Sequence, residues 1–277
     1  MSDRRVTPAR PDLAASHLKG RVDAPRFADG EKTSVQVGRA SLRVRPAQDA
    51  AQDSELLFGE TFTVYDRSRD WAWGQAAGDL YVGYVRESDL APHFAAEARV
   101  SALLAPVFPA PDLKTPVRDL LPMGAAVAVL VKGGDYVKIG EDAFLHRRHL
   151  TPESQKDFVT VAERFLGAPY VWGGKSFAGL DCSGLIQVAL QAVGRAAPRD
   201  TDMMEQALGE NIMRGDAAPK MRRGDLVFWK GHMGVMLDGT RLLHANAFHM
   251  TVAIEPLAEA VARIEKTAGP VTSVKRL

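Results

Sequence analysis

The sequence predicts two small β-rich units followed by an α+β domain, with a polar arm in front. Three observations carry this. Apolar and polar residues alternate between tight turns over residues 33–95, and the pattern recurs more weakly over 96–150. Helical periodicity begins after Thr151. From Arg223 onward, β-forming segments flank an Asp238-Gly239 turn. A chain of 277 residues is long enough for two or three domains. With 46% hydrophobic and 25% charged residues it reads as an ordinary globular protein. Its net charge of +1 gives no reason to expect nucleic acid or a membrane surface as partner.

Residues 1–32 are polar, with scattered Pro and Arg, and read as an arm that lies on other domains or is partly disordered. The stretch MSDRRVTPARPDLAASHLKG is charged throughout and has no apolar core, so the expectation is a cytoplasmic chain without a secretory leader. VQVGRASLRVRP reads as one half-buried strand. TFTVYD and WAWGQA read as strands around the turn RSRD, and YVGYVRESDL closes the unit. Short strands in about sixty residues suggest a small β-barrel. In the second unit, VKGGDYVKIGE lines up with DRSRDWAWGQA and HRRHL with RESDL, an internal repeat. The third region, 151–277, opens at Thr151-Pro152-Glu153, with Thr151 read as an N-cap. SQKDFVTVAERFLG is read as a helix with Phe158, Val161, Phe165 and Leu166 on one face. LIQVALQAVG is a helix ending at Gly194, PRDTDMMEQALG a short one capped near Thr201, and EPLAEAVARI the last; VTSVKRL is a closing strand.

Cys182 is the only cysteine, so an internal disulfide is impossible. It follows a glycine-rich loop and stands at the start of a helix, where the partial positive charge of the helix end favours thiolate. A lone cysteine is ordinarily a small buried thiol. Two histidines further on change its weight. If the hairpin loop is Leu237-Asp238-Gly239, Met236 pairs with Thr240 and His232 falls directly opposite His244, with Cβ atoms about 4.5–5.5 Å apart. A two-residue loop would shift the register by one and separate them. A cysteine nucleophile needs a base in reach and a third polar group to orient that base, and Cys182, His232 and His244 supply the set. Cys plus two His is also a zinc set, but a closed zinc site takes four protein ligands at close spacings such as C-x-x-C, which are absent. No metal and no cofactor is therefore expected.

The run PYVWGG…LDCSGLIQ, then RRGDLVFW, GHMGVML and LLHANA, resembles the NlpC-type bacterial cysteine peptidases, papain-like enzymes that cut murein peptides. The resemblance covers roughly Asp157 to Leu277. LYVGYV is similar to the Gly-aromatic-Val signature of bacterial SH3-like domains, which often precede cell-wall enzymes. The whole chain thus resembles the γ-D-glutamyl-L-diamino acid endopeptidases that trim free muropeptides: a papain-like α+β domain behind two SH3-like barrels. The resemblance implies Cys182 as nucleophile, His232 as general base and acid, and His244 as the residue orienting His232. It implies that Tyr170 reaches into the site, that Asp181 and Ser183 contact substrate, and that Asp200 and Thr201 stand where the family usually has Asp-Ser. In such enzymes the first barrel binds the substrate's free amino terminus, which makes Tyr81 and Glu60 candidates.

The reaction so implied is hydrolysis of the γ-D-Glu–L-diamino acid bond of free murein peptides with an unblocked N-terminal L-Ala. The protein would act as a monomer in recycling wall peptides. Two other readings use the same residues differently: a secreted endopeptidase acting on intact wall, or a non-catalytic wall-binding protein. The complete set of Cys182, His232 and His244 argues against the last.

Overall fold

The stretch from Val35 to Pro46, predicted as one strand, forms parts of two. Strand Glu31–Val35 ends, Gln36-Val37-Gly38 turn, and strand Arg39–Arg43 begins. The turn is pinned from outside the first barrel, because the Gly38 N–H donates to Asp119 Oδ2 of the second β unit at 3.1 Å. The computed structural model describes residues 3–151, 155–213 and 219–277. The chain divides into two units, Met1–Pro152 and Glu153–Leu277.

In the first unit, seven antiparallel strands between Glu31 and Pro92 form one sheet. TFTVYD and WAWGQA lie in the paired strands Thr61–Ser68 and Trp71–Ala76, with Arg69 in the left-handed region at the turn. The inward residues, among them Leu42, Phe62, Val64, Ala72 and Val85, form its core. Of the two expectations for the N-terminal arm, its described residues take the first, lying ordered on the first barrel. Ala9–Arg10, Leu13–Ala15 and Phe27–Ala28 form a small sheet, and Leu13, Ala14 and Ala15 are buried. The Val82 N–H donates to the Arg5 carbonyl. Arg10 pairs with Asp66 and Asp12, and its guanidinium lies 4.7 Å over the Trp73 ring. The arm's polar composition reflects cations used as clamps.

The second β unit, Ala98–Thr151, is three small sheets around Val100, Ala105, Val107, Leu121, Val127 and Leu145. Phe58 of the first barrel packs against this core, and the Ala126 N–H donates to the Phe58 carbonyl. The predicted repeat has a structural counterpart. RESDL and HRRHL each hold a 3-10 turn, Glu87–Asp89 and Arg147–His149, that leads into a short strand.

Thr151 is not a helix cap: it ends the short strand Leu150–Thr151 and closes the first unit. Pro152 and Glu153, read as the helix start, lie outside the described residues. In the second unit, helix α1 (Phe158–Glu163) is capped by Asp157, whose carboxylate accepts from the Val159 and Thr160 N–H groups. Leu166, expected on its apolar face, is half exposed past the helix end. Helices α2 (Cys182–Ala192), α3 (Thr201–Ala207) and α4 (Leu257–Ala268) follow. A six-stranded antiparallel sheet completes the unit. Its order is Glu210–Asn211, Ser273–Arg276, Leu226–Trp229, His232–Met236, Arg241–Asn246, Thr251–Pro256. Helix α2 is buried from Cys182 to Leu190 and packs on strands His232–Met236 and Arg241–Asn246. The EPLAEAVARI run starts as helix two residues later than its composition suggested: Glu255 and Pro256 end a strand. Proline disfavours helical backbone in the residue before it, which keeps Glu255 extended. Among the described residues no helix is long and apolar enough to cross a membrane.

Candidate active site

Cys182 is the first residue of α2, and its place is set by Asp181. The Asp181 carboxylate caps the helix, accepting from the Gly184 N–H at 2.7 Å, and reaches back to the Gly173 N–H at 2.9 Å. Gly184 has no alternative, since a Cβ there would lie 2.1 Å from the Gly174 carbonyl oxygen. Arg199, buried with 1% of its side chain exposed, grips both Asp181 oxygens at 3.0 and 2.6 Å and donates to Ser183 Oγ at 2.9 Å. Glycine loop, nucleophile turn and the approach to α3 are thereby locked together. Asp181 and Ser183, expected to contact substrate, have their side chains engaged by the protein itself. Their function in this structure is to hold the backbone around Cys182.

The Cys182 sulfur accepts a hydrogen bond from the Met233 backbone N–H and lies 3.6 Å from Thr201 Oγ1. Thr201, anticipated as a substrate residue, touches Cys182. Its neighbour Asp200 holds the N-cap position of α3 without a side-chain capping bond. Burial pushes the Cys182 thiol up to about 11, and the Asp181 charge adds to the effect. The expected helix-end thiolate is therefore overridden by burial and by the carboxylate next to it. Tyr170 pairs with Leu180 beside this turn, and its N–H donates to the Met250 carbonyl. Burial pushes its phenol up, with Cys182 and Asp181 contributing, so Tyr170 stays a hydrogen-bond donor.

The histidine hairpin forms with a different register from the one assumed. Met236 pairs with Leu242, not Thr240, because the Asp238 carboxylate accepts from the Thr240 and Arg241 N–H groups and lengthens the turn. The shift is two residues, so both histidines keep the same face. His232 now meets His244 on the diagonal, and His232 Nε2 lies 2.8 Å from His244 Nδ1. Gly234 takes the place opposite His244. A Cβ at Gly234 would stand 3.0 Å from His244 Cβ and 2.9 Å from Leu242 Cδ1, so its absence lets the two rings meet. Trp229 pairs with His232 on the other side, ring centroids 5.7 Å apart. Burial pushes His232 down to about 3 and His244 down to about 4. The resting pair is therefore a neutral thiol and a neutral imidazole.

Two residues behind His244 were not anticipated. Glu255 Oε1 lies 2.6 Å from His244 Nε2, and Arg263 of α4 holds both Glu255 oxygens at 2.5 Å. Burial alone would push the Glu255 carboxyl up, but the hydrogen bonds from Arg263 and His244 outweigh it and hold it below the ordinary glutamate range. Glu255 had been assigned to a helix, which hid it; the Pro256 after it was the available signal for a strand end. His244, His249 and Glu255 could approach a cation, but both His244 nitrogens and both Glu255 oxygens are engaged within the protein. The remaining anticipated residues lie in the N-terminal unit. Tyr81 is in the core of the first barrel, 4% exposed, and Glu60 is half-buried before strand Thr61–Ser68.

Comparison with known proteins agrees with this arrangement. Residues 167–267 match the NlpC/P60 family profile, and residues 42–90 match the bacterial dipeptidyl-peptidase SH3 domain. The γ-D-glutamyl-L-lysine dipeptidyl-peptidase of Bacillus subtilis is 30% identical over 151 residues, covering 48% of this chain and 49% of that protein. The dipeptidyl-peptidase 6 of Lysinibacillus sphaericus is 25% identical over 256 residues, covering 79% and 89%. The fold is shared with the crystal structure of an NlpC/P60 family protein from Bacillus cereus ATCC 10987, with TM-score 0.72 and 18% identity over 89% of this chain and 99% of that one. The cysteine at the helix start and the histidine pair thus lie within a domain that matches the NlpC/P60 family, behind one that matches the bacterial dipeptidyl-peptidase SH3 domain.

Proposed function

We propose that this enzyme hydrolyses the amide between the γ-carboxyl of D-Glu and an L-diamino acid in free wall peptides that begin L-Ala-γ-D-Glu, a step in their reuse. The observation that carries the reading is the pairing of a Cys182–His232–His244 site with a dipeptidyl-peptidase SH3 domain. The names of the two peptidase relatives support it, since removal of an N-terminal dipeptide implies a substrate with a free amino terminus.

In this mechanism His232 takes the Cys182 proton as sulfur attacks the carbonyl carbon. The carbonyl π electrons move to oxygen, and Tyr170 donates a hydrogen bond to the developing oxyanion. Collapse breaks the C–N bond, His232 passes its proton to the leaving amine, and a thioester remains. Water then attacks the thioester, giving its proton to His232, and Cys182 leaves as thiol with that proton restored. Because thiol and imidazole rest neutral, proton transfer accompanies attack.

The test is hydrolysis of L-Ala-γ-D-Glu-L-Lys and of its N-acetyl form. The free peptide is expected to release L-Ala-γ-D-Glu and the blocked one to resist. C182A is expected to lose at least about 10³-fold in kcat/KM with its thermal midpoint unchanged within a few degrees. Equal cleavage of both peptides, or an active C182A, would sink the proposal.

A further inference from the structure

We infer that Glu255, clamped by Arg263, is a positioning residue that sets the tautomers of both histidines and so aims the basic nitrogen of His232 at Cys182. One group in the row has no proton to give. An ionised carboxylate only accepts hydrogen bonds. Glu255 Oε1 lies 2.6 Å from His244 Nε2, so His244 carries its proton on Nε2. Its Nδ1 is then a lone pair, and that lone pair lies 2.8 Å from His232 Nε2. His232 must therefore carry its proton on Nε2 as well. This leaves His232 Nδ1 unprotonated, the nitrogen free to take the thiol proton. Each step follows from the one before, so the tautomer at the base is decided two residues away, at the carboxylate.

Arg263 is what keeps that carboxylate an acceptor. Both its terminal nitrogens reach Glu255, and its guanidinium lies 4.3 Å over the Phe248 ring, which is 68% exposed. The row thus runs from His232 to a surface aromatic. When His232 becomes an imidazolium, the Glu255 charge, relayed through His244, is the compensating anion. A neutral side chain at 255 removes that compensation. It also admits the opposite chain of donors, in which His232 Nδ1 bears a proton and cannot serve as base.

The inference rests on Cys182 and His232 being the reacting pair, not on the identity of the substrate. The test is therefore read in two ways that need no peptide and one that does. In ¹⁵N-resolved imidazole spectra, the wild type is expected to show His232 and His244 both protonated on Nε2, and E255Q to show a mixture or the Nδ1 form. Alkylation of Cys182 by iodoacetamide is expected to slow in E255Q. On the tripeptide, kcat is expected to fall about 100-fold with KM within about twofold, and E255D to recover part of the loss. If E255Q does not fold, the double variant E255M/R263M removes both charges together and is expected to fold while keeping the kcat deficit. Unchanged tautomers in E255Q, or kcat within about threefold of wild type in either variant, would overturn the inference. Should the wild type ignore the tripeptide while tautomers and alkylation respond to E255Q, the substrate assignment fails and the relay stands.

Discussion

Arg199–Asp181 and Arg263–Glu255 are both two-pronged guanidinium–carboxylate pairs, one behind Cys182 and one behind the histidine pair. Their surroundings differ. Arg199 has 1% of its side chain exposed, and the oxygens it grips also accept backbone N–H groups of Gly173 and Gly184. Arg263 is 24% exposed at its side chain, and one of the oxygens it grips meets a histidine ring. The same pair chemistry therefore performs two tasks. Where the carboxylate's other partners are backbone, it fixes where the chain goes. Where the other partner is an imidazole, it fixes where a proton sits.

The contrast can be broken from either side. R199M leaves Asp181 buried and unpaired, and is expected to destabilise the catalytic unit by about 3–5 kcal/mol, read as a shift in urea midpoint. Were E255Q to destabilise as much as R199M, the two pairs would be doing the same job. G234A acts between them. Its Cβ meets His244 Cβ and Leu242, and the expected cost is about 1–3 kcal/mol of stability together with a lower kcat from a displaced His244. A crystal structure of G234A with the 2.8 Å His232–His244 bond intact would contradict this.

Acid sharpens the comparison, because the base end titrates. His232 and His244 lie near 3 and 4 in the fold against an ordinary 6.5. Between about 6.5 and 4 the unfolded chain takes up protons that the folded one refuses, so stability falls as pH falls through that window. Glu255, held below its ordinary value, adds its own loss lower still. Urea midpoints at pH 7, 5.5 and 4.5 should decline in order, and H244Q should flatten the decline. The smallest effect is expected at the nucleophile's side contact. T201V removes the hydroxyl 3.6 Å from Cys182 Sγ at a cost of about 1 kcal/mol, roughly fivefold in the alkylation rate or kcat.

Much of this was legible in the chain itself. The helix starting at Cys182 and ending before Gly194, the strand pair around the Arg69 turn and the repeat of RESDL in HRRHL were all visible as local pattern. Periodicity and turn chemistry act over a few residues, and here neighbours agree with the fold. The histidine pair was found through an incorrect register that happened to preserve the face: an error of two residues in a strand returns every side chain to its own side. For the polar arm, composition left packing and partial disorder both open, because it does not show that Arg10 would find Asp66 and Trp73.

By itself, then, the sequence determined the candidate set, since a lone cysteine at a helix start and two histidines of matching parity on one hairpin are statements about local order. Tertiary structure alone decided how that set is charged and aimed. Burial and the Asp181 carboxylate keep Cys182 a thiol, and Glu255 reaches His244 only because a strand ends at Pro256 and α4 returns Arg263 over it. Desolvation and long-range pairing depend on what the rest of the chain places around a residue, and no window of neighbouring residues contains that.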